Sequence, residues 1–216
     1  MIYTTLTPKN EERFDQPMLR SERRDLSLSR LIRAGTEILC EQSYASMGVE
    51  QVLQRAGLSK GSFYHFFPSK EQFGLQVINH YADYFNRKLD RILSQTENSP
   101  LERLRLYIQE GIVGVERFEF RRGCLIGNLS EELGATQPLF RTALEAAFKS
   151  WQNKVADCLQ QAIDASELNA SAEVQAFAEF FWTGWEGALI RAKVLGSTAP
   201  IKRFTDQFFK VLPRSL

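Results

Sequence analysis

The sequence is poor in the residues that catalysis and metal binding use most. Its 216 residues include only two histidines, His65 and His80, and three cysteines, Cys40, Cys124 and Cys158. Neither histidine stands in a Glu-x-x-His pair, so the ligand set of a di-iron helical bundle is missing. No Gly-rich phosphate loop and no Ser/His/Asp set is evident, and the chain reads as neither an enzyme nor a cofactor or metal carrier. An odd number of widely spread cysteines makes no disulfide framework. No apolar run approaches the roughly 20 residues that span a bilayer, and residues 1–24 lack the apolar core of a signal peptide. A reducing cytoplasm is the expected setting, with no membrane partner. The formal net charge of +1 excludes a polycation.

What is present is a helical chain with a large core. Apolar residues make up 44% and aromatics 12%. Strand signals, internal repeats and low-complexity segments are absent. The expected fold is all-α, with about nine helices. Charge is uneven: residues 20–70 hold eight cations (Arg20, Arg23, Arg24, Arg30, Arg33, Arg55, Lys60, Lys70) against five anions. A basic N-terminal segment suits phosphate contact. Residues 1–24 read as a flexible arm or a solvated tail, whose arginines could follow a phosphate backbone or enter a minor groove.

From Asp25 or Ser27 the pattern turns helical, with Leu28, Leu31, Ile32, Gly35, Ile38 and Leu39 at i, i+3, i+4 spacing. Ser46-Met47-Gly48 starts a second, short helix whose Val49, Val52, Leu53 and Ala56 form a buried face. Gly57 supplies the turn, since glycine takes positive φ without steric penalty. Ser59 is the expected N-cap of a helix over 60–66. Two short helices joined at a glycine, after a stabilising first helix, make a helix-turn-helix over 25–68. Phe63 and Phe67 are expected inward. Arg24, Ser46, Ser59, Lys60, Gly61, Ser62, Tyr64, His65 and Lys70 are expected to meet double-stranded DNA, at base edges and phosphates. Pro68 followed by Ser69-Lys70-Glu71-Gln72 reads as a capping box opening a helix to about Ser94.

The block Ser59-Lys60-Gly61-Ser62-Phe63-Tyr64-His65-Phe66-Phe67, followed by Ser69-Lys70-Glu71, resembles the recognition segment of the TetR family of bacterial repressors. The preceding stretch from Gly48 to Leu58 is similar to the first helix and turn of that family's DNA-binding unit. The resemblance implies a helix-turn-helix head and a body over 69–216 that binds a small inducer and forms a homodimer on a palindromic operator.

The body begins with the Ser69 helix and continues through 100–117, a break at Phe118 to Gly123, and a short helix from Cys124 to Leu133. Helices from Pro138 through about Ile163, from Ala172 to about Leu195, and a last one with Phe204 and Phe208 follow. On the short helix Cys124, Asn128 and Glu131 share one face, apart from the leucine stripe. Arg121, Arg122 and the helix start are expected to lower the Cys124 pKa. On the penultimate helix Trp182, Glu186, Leu189 and Lys193 point one way. Phe177, Phe181, Gly184 and Ala188 point the other, and with Phe204 and Phe208 they are the candidate dimer face. Two narrower blocks, Phe120 to Leu129 and Phe181 to Lys193, resemble acrylate-responsive repressors of the AcuR type. They are similar also to electrophile-sensing NemR-type repressors, which carry a reactive cysteine and a lysine at the positions of Cys124 and Lys193.

That resemblance implies release from DNA by acrylate or a related unsaturated carboxylate. Arg121, Arg122 or Lys193 could hold the carboxylate, Trp182 and Trp185 the vinyl group, and Cys124 could add to it. The plainer alternatives stand beside these: Cys124 as a packed bystander, the tryptophans as core, and Glu186 with Lys193 as an ion pair. Release through Cys124 as an electrophile or redox sensor is the alternative mode. Cys40 and Cys158, on apolar faces, are expected to be inert core.

Overall fold

A computed structural model describes residues 19–215, in which nine helices carry nearly all of the regular structure. They are α1 (Arg20–Glu41), α2 (Val49–Ala56), α3 (Ser62–Phe66), α4 (Lys70–Leu93), α5 (Pro100–Arg117), α6 (Leu125–Leu133), α7 (Pro138–Asp164), α8 (Val174–Leu195) and α9 (Ala199–Val211). The all-α reading holds. No helix of the described residues is long and apolar enough to cross a membrane.

The local signals account for most boundaries. Gly57, at φ +68°, ends α2 in the left-handed region. Ser69 caps α4, its hydroxyl accepting from the Gln72 N–H at 3.1 Å. Pro100 and Pro138 open α5 and α7, where a missing N–H costs no helical bond. Helix α6 begins at Leu125 rather than Cys124 and α8 at Val174 rather than Ala172, and two other boundaries differ more. Helix α1 begins at Arg20, with the Glu22 carboxylate accepting from the Leu19 N–H at 2.9 Å. Arg20, Arg23 and Arg24, expected in an arm, are therefore helical, while the rest of that arm, residues 1–18, lies outside the described residues. Helix α3 is shorter than 60–66. Lys60 and Gly61 form a turn, Gly61 rather than Ser59 is the N-cap, and the Ser62 N–H reaches the Ser59 carbonyl.

The head closes over aromatic rings. Phe63 and Phe67 are buried, as their spacing demands, and each packs edge-on against Phe73 of α4, with centroids 5.1 and 4.9 Å apart. Phe73 in turn lies on Gly35 of α1, where any side chain would collide with its ring. Helix α4, about 36 Å long at 1.5 Å per residue, runs from this head into the body. There Tyr81 and Phe85 of α4, Tyr107 of α5, Trp151 of α7 and Trp182 of α8 pack on one another in tilted and edge-on pairs between the four helices.

Candidate functional site

One face of the head is polar and open. Tyr64 is 66% exposed, His65 is exposed beside it, and Ser62 is half-buried. Lys60 is exposed and ion-paired at 2.5 Å with Glu50 across the turn. Ser46 is exposed in a hydroxyl pair with Ser43. Arg24 lies over the Phe66 ring at 5.8 Å. The Lys70 ammonium sits 4.5 Å over the Tyr44 ring and 3.5 Å from the Ala45 carbonyl, and burial lowers its pKa. Arg24 thus meets α3 through Phe66, and Lys70 meets the α1–α2 turn at Ala45, next to Ser46.

On the body side of the head lies a cavity of about 440 Å³. Four of the expected ligand residues line it: Cys124, Asn128, Glu186 and Lys193. Its apolar wall is Leu189, Ile190 and Val194 of α8, and its remaining wall comes from the head itself, Glu41, Gln42 and Ser43. Four carboxylates (Glu41, Glu131, Glu132, Glu186) face one ammonium, Lys193. Lys193 is exposed and forms no ion pair with Glu186 among the described residues.

The other expected ligand residues lie elsewhere. Arg121 is exposed and paired with Glu119 at 3.4 Å. Arg122 is held at 2.8 Å by Glu41 and stacks at 4.1 Å on Phe118. Trp182 and Trp185 are buried core, and Trp185 lies on Gly111 of α5. The Trp182 indole N–H has no hydrogen-bond partner among the described residues.

The Cys124 thiol sits at the start of α6, as expected, but its pKa moves the other way. Burial first, then the Glu186 carboxylate beside it, push the thiol well above its usual value, and the Gly127 and Ile126 N–H groups pull down too weakly to offset them. The arginines expected to stabilise a thiolate are spent on Glu119 and Glu41. Glu186 itself is pushed up to about 7 by burial, with the Cys124 thiol pulling the other way. Its carboxyl group lies directly on Gly127, where a side chain would collide with it, and its buried Oε1 has no hydrogen-bond partner among the described residues. Cys40 and Cys158 are buried, and burial lifts both thiols to about 12.

Several bonds join the head to α6 around this cavity. Glu132 accepts from the N–H groups of Tyr44 and Ala45 at 2.6 and 2.7 Å. The Gly123 N–H donates to the Cys40 carbonyl at 3.3 Å, the Asn128 amide to the Leu39 carbonyl at 3.5 Å, and Arg122 to Glu41. Sequence reasoning missed Glu41, Gln42, Ser43 and Glu132 as parts of the site. Their only local signature is polarity, and long-range packing of α6 on the end of α1 brings them there.

The candidate dimer residues divide. Phe181 and Phe208 are enclosed within the chain itself, and Phe204 covers Gly184. The close approach that Gly184 permits is therefore taken by α9. Ala188 is buried, and Phe177 and Phe204 are half-buried. The apolar residues left open on α8 and α9 include Phe180, Leu195 and Val211.

Residues 31–77 match the family described as bacterial regulatory proteins, tetR family, and residues 100–208 match the tetracyclin repressor-like C-terminal domain. The chain belongs to the TetR family. The transcriptional regulator AcuR of Cereibacter sphaeroides is 45% identical over 178 residues, covering 82% of this chain and 81% of AcuR. The repressor NemR of Escherichia coli is 28% identical over 173 residues, covering 80% of this chain and 86% of NemR. A crystal structure of a TetR regulatory protein from Rhodobacter sphaeroides superposes with a TM-score of 0.83 at 43% identity, over 87% of this chain and 99% of that one. The protein is a TetR-family transcriptional regulator with a helix-turn-helix head, and its family is one of regulators rather than enzymes.

Proposed function

We propose that the protein is a homodimeric repressor that leaves a palindromic DNA operator when acrylate, or a related small unsaturated carboxylate, enters the cavity beneath its head. The observation that carries this reading is the shared wall of that cavity. Glu41, Gln42 and Ser43 belong to the head, and Cys124, Asn128, Glu186 and Lys193 to the body. A ligand between them favours whichever head position fits it best, and so shifts the head's equilibrium. Half-sites one helical turn apart lie about 34 Å from each other, and a small tilt of each head along α4 puts the two recognition helices out of register. Residues 25–68, extended back to Arg20, act as the reading head, and 69–216 as the sensing and dimerising body, in a cytoplasmic protein.

The inducer class follows the similarity to AcuR, and the cavity chemistry agrees in part. Lys193 offers a cation, and Leu189, Ile190 and Val194 an apolar wall for a vinyl group. A second reading, electrophile sensing by Cys124, draws on the thiol lining the same cavity and on the likeness to NemR. The raised thiol pKa weighs against it, because little thiolate is present near neutral pH.

A gel-shift titration on the protein's own promoter fragment tests both readings, with acrylate and a thiol-reactive quinone, on wild type and Cys124→Ser. Acrylate release that survives Cys124→Ser supports the carboxylate reading. Quinone release abolished by Cys124→Ser, without an acrylate effect, supports the second. No release by either removes both inducer assignments.

A further inference from the structure

The cavity poses an electrostatic problem for the ligand just proposed. An anion entering it meets Glu41, Glu131 and Glu132 as well as Glu186, and the single ammonium, Lys193, stands exposed. Glu41 is neutralised by Arg122 and Arg55, at 2.8 and 3.4 Å, and Glu132 is satisfied by the Tyr44 and Ala45 N–H groups. Glu186 has no such relief. One side of its carboxyl group rests on Gly127 and faces the Cys124 thiol, and its Oε1 is buried without a partner among the described residues, in a side chain that lines the cavity. The remaining titratable groups near it, Tyr81 of α4 and Tyr107 of α5, are neutral phenols whose ionisation burial suppresses. A buried carboxylate with no cation beside it and only a weak thiol donor is costly, whereas the acid form carries a proton to donate.

We propose that Glu186 receives the inducer in its acid form, donating a hydrogen bond to the ligand carboxylate, so that each binding event above neutral pH takes up one proton. The carboxyl–carboxylate contact is a charge-assisted hydrogen bond, among the stronger kinds available to a buried oxygen. Lys193 then screens the ligand's charge from the mouth, and Glu186 sets the selectivity for a carboxylate. This inference rests on the carboxylate-inducer reading.

The two are separated by measuring acrylate affinity calorimetrically on the purified full-length protein from pH 6 to pH 9, with wild type and Glu186→Gln. Wild-type affinity is expected to be level up to about pH 7, then to weaken by about tenfold per pH unit, the slope of one coupled proton. In Glu186→Gln the amide N–H replaces the acid donor, and the curve is expected to be flat through pH 9. A level wild-type curve, or a slope that persists in Glu186→Gln, overturns the inference and leaves the carboxylate reading intact. Absence of acrylate binding at every pH overturns both. If Glu186→Gln does not fold, wild-type heats in two buffers of different ionisation enthalpy give the proton count directly, and a count near zero at pH 8 overturns the inference.

Discussion

At the scale of single residues, the carboxyl group of Glu186 makes stability depend on pH. Its pKa rises from 4.5 in the unfolded chain to about 7 in the folded one. The folded state therefore holds its proton more tightly than the unfolded state. Stability is highest below about pH 4.5 as far as this group is concerned, falls as pH rises to about 7, and stays at the lower level above it. The full loss is on the order of 3 kcal/mol at 1.36 kcal/mol per pH unit. Glu186→Gln removes the penalty. Urea unfolding should find the variant more stable than wild type by up to about that amount at pH 8 and nearly equal at pH 4.5. A wild-type advantage at pH 8 would mean that the ionised carboxylate has a partner in the folded protein.

Among elements, the contact between α6 and the end of α1 matters most. Glu132 reaches across 88 residues of sequence to satisfy two N–H groups in the α1–α2 turn. Removing a carboxylate that accepts from two backbone donors costs about 1–3 kcal/mol, less where water can take its place. For Glu132→Ala the expected outcome is faster hydrogen exchange at the Tyr44 and Ala45 amides. A weaker DNA-release response to ligand should accompany it, with operator affinity itself little changed. Unaltered exchange would show that the turn is held by other contacts. The elements themselves were legible because their signals are local. Gly57, the Ser69 cap, Pro100 and Pro138 each act within one helical turn, and Phe63 and Phe67 had a single core to face. The half of the cavity on α6 and α8 was legible too, since helical spacing alone put Cys124 with Asn128 and Glu186 with Lys193. The other half was not, because nothing near Glu41, Gln42 or Ser43 announces a partner some 80 residues away. The shift of the Cys124 thiol was misjudged for a related reason. The charges beside it in sequence are the arginines, but the charge beside it in space is Glu186, and burial outweighs both.

For the whole molecule, the proposed dimer would decide how well two recognition helices act together. Leu195 of α8 and Val211 of α9 are more than half exposed and apolar, with Phe180 nearby in character. The double substitution Leu195→Glu, Val211→Glu should give a monomer by sedimentation velocity. Its operator affinity should fall on the order of 100-fold or more, since each head then binds its half-site without the other. A variant that remains dimeric would move the interface elsewhere. Because the cavity is walled by head and body together, operator DNA and the proposed inducer would act on the same joint, and thermodynamic coupling would run both ways. Whatever factor the inducer removes from operator affinity, the operator removes from inducer affinity. Saturating operator duplex should thus raise the inducer Kd by the same ratio that saturating inducer raises the operator Kd. A sensor protein titrated alone will then overstate its own sensitivity. In a cell, the dose that switches the gene would then be set by the copy already seated on DNA, the one least willing to bind inducer.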